Sequence, residues 1–176
     1  MLGLPGDSTK GFLATVEKAI ELKPDFVRIY PALVIKDTPL EKLYTTGKYR
    51  TLSLDDAVQS CKQALTRFEQ ADIPVIRVGL QPTGELERPG TILAGPYHPA
   101  FRQLVEASLF LDRMRKTLKE RSDHNDMVAF LVNPKDVSSA TGQKKTNITR
   151  LVNEFNLREL RIQADEAVQR GTVRLA

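Results

Sequence analysis

Residues 26–35, FVRIYPALVI, are dense in β-branched and aromatic side chains. That composition reads as a strand buried in a sheet, with Pro31 at its end because proline cannot donate to a ladder. Residues 74–80, PVIRVGL, form a second such run. Amphipathic stretches flank both. Phe12, Val16, Ala19 and Ile20 recur at helical spacing and predict a helix over roughly 8–22. Leu54, Ala57, Val58, Cys61, Ala64, Leu65 and Phe68 form one apolar stripe after Ser53-Leu54-Asp55-Asp56, which resembles a capping box. Strand and helix alternating over 1–120 argue for an α/β fold whose parallel sheet is joined by helical crossovers.

Working outward, residues 1–6 read as the exit of a strand that turns through Gly3-Leu4-Pro5-Gly6, with Asp7 or Ser8 capping the next helix. A sheet that opens at a strand exit leads to the expectation that the first half of a larger sheet precedes Met1. Residues 36–52 read as a loop with one helical turn near Leu40–Tyr44. Residues 81–96, rich in proline, glycine and threonine, read as a long loop. A helix carrying Phe101, Leu104, Val105, Leu111 and Leu118 is expected from Pro99 to about Arg121. Residues 122–126 are polar and read as a linker between a first domain, 1–121, and a second, 126–176. The second is expected to run strand (127–132), short helix (to about 141), loop (142–145), helix (around Ile148–Phe155), strand (157–163) and a terminal strand (172–175).

Composition excludes several classes. With 41% hydrophobic and 27% charged residues in 176, the chain is globular and long enough to bury a core without staples. Its net charge of +4 is too small to establish a nucleic-acid partner. No apolar run approaches a membrane span, and MLGLPGDS is not a signal peptide. One cysteine allows no internal disulfide, so a cytoplasmic location is expected, and two distant histidines outline no metal site.

The residues that could carry chemistry are few. The GLPG turn lies at the carboxyl edge of a sheet, where α/β ligand sites form, although a tight turn accounts for it equally. It is no phosphate loop, since Gly6 is followed by Asp7-Ser8-Thr9-Lys10. Arg28 and Tyr30, two residues apart, share one strand face. A charge within an apolar strand needs a partner or a position at a mouth, and Arg77 poses the same question. Two arginines on neighbouring strands could together meet a carboxylate, or each could be paired structurally. Cys61 reads as a small core residue. His98 fits a helix cap, a loop hydrogen bond or a general base, and His124 reads as a solvated linker residue.

MLGLPGDS followed by DFVRIYPALVIKDTPLEKLYTTGKY (residues 25–49) resembles radical S-adenosylmethionine proteins. The likeness is to the catalytic subunit of Elongator and to oxygen-independent coproporphyrinogen III oxidase-like proteins, and AGPYHPAF (94–101) adds to it. It implies that residues 1–121 are the second half of a partial (β/α) barrel and that 126–176 are a small α/β appendage. On the S-adenosylmethionine side it implies Gly3, Leu4, Pro5, Arg28 and Tyr30, and Lys36, Arg77, Gln81 and His98 are the candidates for the substrate side. It implies S-adenosylmethionine and a 4Fe-4S cluster in the parent oxidoreductase. One cysteine cannot replace three, so this chain alone is expected to hold neither and to be inactive. The implied partners are the missing half of the barrel and a small-molecule or tRNA substrate, with self-association through the open sheet edge and no membrane. Two other readings stay open. Residues 142–150 carry Lys144, Lys145 and Arg150 in an order similar to the GXXG loop of a KH domain, an RNA-binding reading. Against it, residues 126–176 hold eight basic and six acidic residues, only mildly basic. The remaining reading is a structural α/β domain.

Overall fold

The computed structural model describes residues 1–122 and 125–176, which form two compact units, Met1–Arg102 and Gln103–Ala176. His124, read as a solvated linker residue, lies outside the described residues.

In the first unit, Ser8 accepts from the Gly11 N–H and caps α1 (Thr9–Glu21). β1 (Val27–Ile29) runs parallel to β3 (Val75–Val78), with Arg28 opposite Arg77 and Ile29 opposite Val78. Leu2 joins them as a third parallel segment. Its N–H donates to the Tyr30 carbonyl at 3.0 Å, and its carbonyl accepts from Ala32 N–H at 2.8 Å. The crossover between β1 and β3 contains α2 (Pro39–Thr45) and α3 (Leu54–Gln70). Ser53 caps α3 and also hydrogen-bonds the Asp56 carboxylate. Of the stripe read from the sequence, Ala57, Val58, Cys61, Ala64 and Phe68 are buried, and Leu54 and Leu65 are half-buried. α1 and α3 pack together, and α3 packs on β3.

Two expectations are corrected here. Residues 26–35 do not make one strand. They split into β1 and β2 (Val34–Ile35), and Phe26 is 53% exposed. Proline at 31 offers no N–H, and after the Ala32 N–H bond to Leu2 the chain leaves the parallel pairing. The stretch stays buried through Ala32, Leu33 and Val34, so its composition looks like strand throughout. The loop expected over 81–96 contains β4 (Ile92–Ala94), which pairs antiparallel with β2 through Val34–Ala94 and Ile35–Ile92. Gly95 permits this crossing: its φ is +119°, and a Cβ there would lie 3.0 Å from the Ala32 carbonyl oxygen.

α4 (Phe101–Glu120) carries most of its length in the second unit. There β5 (Met127–Val132) is followed by a 3-10 turn at Pro134–Asp136, α5 (Val137–Thr141), a second 3-10 turn at Gln143–Lys145, α6 (Thr146–Phe155), β6 (Glu159–Ala164) and β7 (Arg174–Leu175). The sheet order is β6-β5-β7, with β5 and β6 parallel and β7 antiparallel. Val128, Phe130 and Val132 alternate into a core shared with Phe110, Leu111 and Met114 of α4 and Leu151 of α6.

Two buried polar residues lock this unit. Asn147 donates its amide to the carbonyls of Ala107 (2.8 Å), Ala140 (3.1 Å) and Ser139 (3.3 Å). Asp136 accepts from Gly171 N–H at 2.7 Å and from the Arg170 guanidinium at 3.1 Å.

Candidate functional site

Strand alternation sends Ile29 and Val78 to the buried side of the parallel pair, both 4% exposed. Arg28, Tyr30 and Arg77 therefore stand on the other face. At the carboxyl ends of β1 and β3 that face opens into a cavity of about 330 Å³ lined by Met1, Tyr30, Pro31, Leu33, Ile35, Arg77, Leu80 and Gln81. Its walls are mostly apolar, and its polar groups are Tyr30, Arg77 and Gln81. Arg77 Nη1 donates to Gln81 Oε1 at 2.5 Å. Arg28 is exposed and lies in register beside Arg77. Among the described residues the structure gives its side chain no hydrogen bond or ion pair.

The other residues named from the sequence have these places. The GLPG turn lies outside the cavity lining and is closed by its own neighbours. Gly3 N–H donates to Asp7 Oδ2 at 3.2 Å, Asp7 N–H to the Leu4 carbonyl at 2.9 Å, and the Tyr49 hydroxyl to the Gly3 carbonyl at 2.5 Å. Gly3 has φ +77°, and a Cβ there would stand 2.9 Å from Leu52 Cδ1. Glycine is thus required by packing inside the turn. Leu4 is 43% exposed, and Pro5 is also exposed. Lys36 is exposed, and its backbone N–H donates to the Thr91 carbonyl. His98 Nδ1 accepts from Ala100 N–H at 3.0 Å, so the ring caps the approach to α4.

Tyr49 escaped the sequence reading. It is 7% exposed, and burial raises its phenol pKa above 10.0. Its hydroxyl joins the end of the VIKDT…GKY stretch to the GLPG turn. No local signal marks that bond, because it spans 46 residues. The KDTP segment has its own local reason. Thr38 caps α2, Pro39 occupies its first turn, and Glu41 accepts from Asp37 N–H at 2.6 Å.

A four-iron cluster does not fit the residues present. Cys61 is fully buried in α3, and desolvation pushes its thiol up to about 12, away from the thiolate that ligation needs. Among the described residues no group of three or more His, Cys, Asp or Glu could hold a metal ion. No helix among them is long and apolar enough to cross a membrane.

In the second unit, Lys144, Lys145 and Arg150 are exposed around the start of α6. Lys144 (φ +50°) and Lys145 (φ +62°) are both left-handed. A Cβ on Gly142 would lie 2.6 Å from Thr146 Oγ1, so this glycine too is required by internal packing.

Residues 24–110 match the family model of the Radical_SAM C-terminal domain. The match supports a C-terminal part of a radical SAM protein. It takes in β1 through β4 and the first half of α4, hence all of the cavity except Met1. An uncharacterized protein of Methanocaldococcus jannaschii is 46% identical over 52 residues, 30% of this chain and 16% of that relative's length. The chain therefore covers only a small part of the relative it matches. No solved structure matches.

Proposed function

We propose that this radical SAM C-terminal segment supplies the last strands and the substrate-side wall of a (β/α) barrel in a radical SAM oxidoreductase, of the kind that includes the Elongator catalytic subunit and coproporphyrinogen III oxidase-like proteins. One observation carries the reading. Three successive parallel segments have helix on one side, while the opposite face bears Arg28, Tyr30 and Arg77 beside a cavity at the strands' carboxyl ends. That is where α/β barrels place their sites. Arg28 and Tyr30 would face S-adenosylmethionine, with the GLPG turn beside the adenosine. Arg77, Gln81, Lys36 and His98 would face the substrate. The single cysteine assigns no cluster to this chain, so its part is to bind and shape, and alone it would be inactive.

The missing staves would pair along the Leu2 edge, and the same edge would let copies of this chain associate. The test is to express the chain joined to the segment encoded upstream of Met1 and reconstitute it anaerobically with iron and sulfide. Four-iron absorbance and cleavage of S-adenosylmethionine to 5′-deoxyadenosine are expected from the joined protein, and neither from the chain alone. A joined protein that takes up no cluster would overturn the reading.

A second reading concerns the appendage and rests on its loop. Lys145, standing where a GXXG loop has its second glycine, adopts the left-handed backbone that glycine provides, as does Lys144 before it, and both are exposed at the start of a helix, which favours phosphate. This KH-like loop would bind RNA or tRNA weakly with help from Arg150.

A further inference from the structure

Arg28 and Arg77 are Cα partners on adjacent parallel strands, about 4.8 Å apart, with side chains on the same face. Two guanidinium groups so placed repel each other. Among the described residues neither side chain meets a counter-charge: Arg28 has no hydrogen bond or ion pair, and Arg77 meets only the neutral amide oxygen of Gln81. That bond leaves the Gln81 amide nitrogen as a donor at the cavity, alongside the Tyr30 hydroxyl. Leu33, Ile35 and Leu80 make the rest of the wall apolar. Paired cations with flanking donors above an apolar pocket suit an anion attached to an apolar body.

We propose that Arg28 and Arg77 form a single anion receptor, taking a carboxylate or phosphate between their guanidinium groups. Resting on the radical SAM reading, it makes the ligand either an acidic small-molecule substrate or S-adenosylmethionine held by its methionyl carboxylate.

The test follows the arginine Nε–Hε NMR signals of the whole chain. Inorganic phosphate and acetate should shift the Arg28 and Arg77 signals saturably at millimolar concentration. Arg28→Gln and Arg77→Gln should each weaken phosphate binding at least tenfold. Arg77→Lys should recover part of the loss, and Arg158→Gln should leave binding unchanged. Tighter binding of S-adenosylmethionine than of its decarboxylated analogue would identify the methionyl carboxylate as the occupant; equal binding would point to the substrate's acid group. No saturable shift, or binding indifferent to both glutamine variants, would overturn the receptor. Phosphate binding in a chain whose joined form cleaves no S-adenosylmethionine would remove the radical reading and keep the receptor. Cleavage without phosphate binding would do the reverse.

Discussion

Replacing Gly3 by alanine tests whether the GLPG turn needs its first glycine for packing. Gly3 and Gly6 both have φ +77°, so either substitution meets the same backbone penalty, about 1–2 kcal/mol. Alanine also restricts the unfolded chain, which returns roughly 0.4–1 kcal/mol. Gly6 has nothing within 4 Å of its would-be Cβ, so Gly6→Ala should cost about 0.5–1 kcal/mol. Gly3 has Leu52 Cδ1 at 2.9 Å and Cγ at 3.1 Å. Displacing that side chain adds roughly 1 kcal/mol, the low end of overpacking because leucine can move. Gly3→Ala should therefore cost about 1.5–2 kcal/mol, and the excess over Gly6→Ala should vanish in a Leu52→Ala background. The assay is urea denaturation followed by tyrosine fluorescence. The chain has no tryptophan, and all its tyrosines (30, 44, 49 and 97) lie in the first unit, so the signal reports that unit alone. Equal costs at the two glycines, or an excess that survives removal of Leu52, would refute the packing argument and return Gly3 to the ligand.

Asn147→Asp keeps the volume but aims a carboxylate at three carbonyl oxygens, and should destabilise the second unit by about 2–4 kcal/mol, read by far-UV circular dichroism in urea. Cys61 should resist iodoacetamide until the protein unfolds. Because its folded pKa is raised from 9.0 to about 12, the unfolded state loses the proton first. Stability is therefore fully present below pH 9 and should fall as pH rises from there toward 12, measured by urea midpoints across that range. On the appendage reading, tRNA or single-stranded RNA should bind weakly and lose affinity with salt, and Lys144→Glu with Lys145→Glu should abolish it; binding indifferent to both would discard that reading.

The functional stretch was legible wherever its chemistry is local. Ser8 and Ser53 cap their helices within three residues, and the α3 stripe announces its buried face through a 3.6-residue period. Residues that join distant segments left no such mark. Tyr49 reads as one more aromatic in a loop until its hydroxyl is seen on Gly3, and Asn147 as a polar residue in a helix until three carbonyls are seen around it. His98 was open between cap and base on sequence grounds; in the fold its Nδ1 is engaged with Ala100.

By itself the sequence determined the α/β alternation, the helix bounds to within a residue or two, and a single cysteine with no partner. All of these depend on neighbours a few positions away. Only the tertiary structure decided that residues 26–35 divide between a parallel and an antiparallel pair. It also decided that α4 gives Phe110, Leu111, Met114 and Leu118 to the second unit's core, and that Arg28 stands beside Arg77. Strand pairing is chosen by partners some fifty residues distant: a shift of one position in β1 would turn Arg28 into the core and Ile29 to the cavity face, and burial of Ile29 and Val78 selects the register that leaves the two arginines together at the mouth.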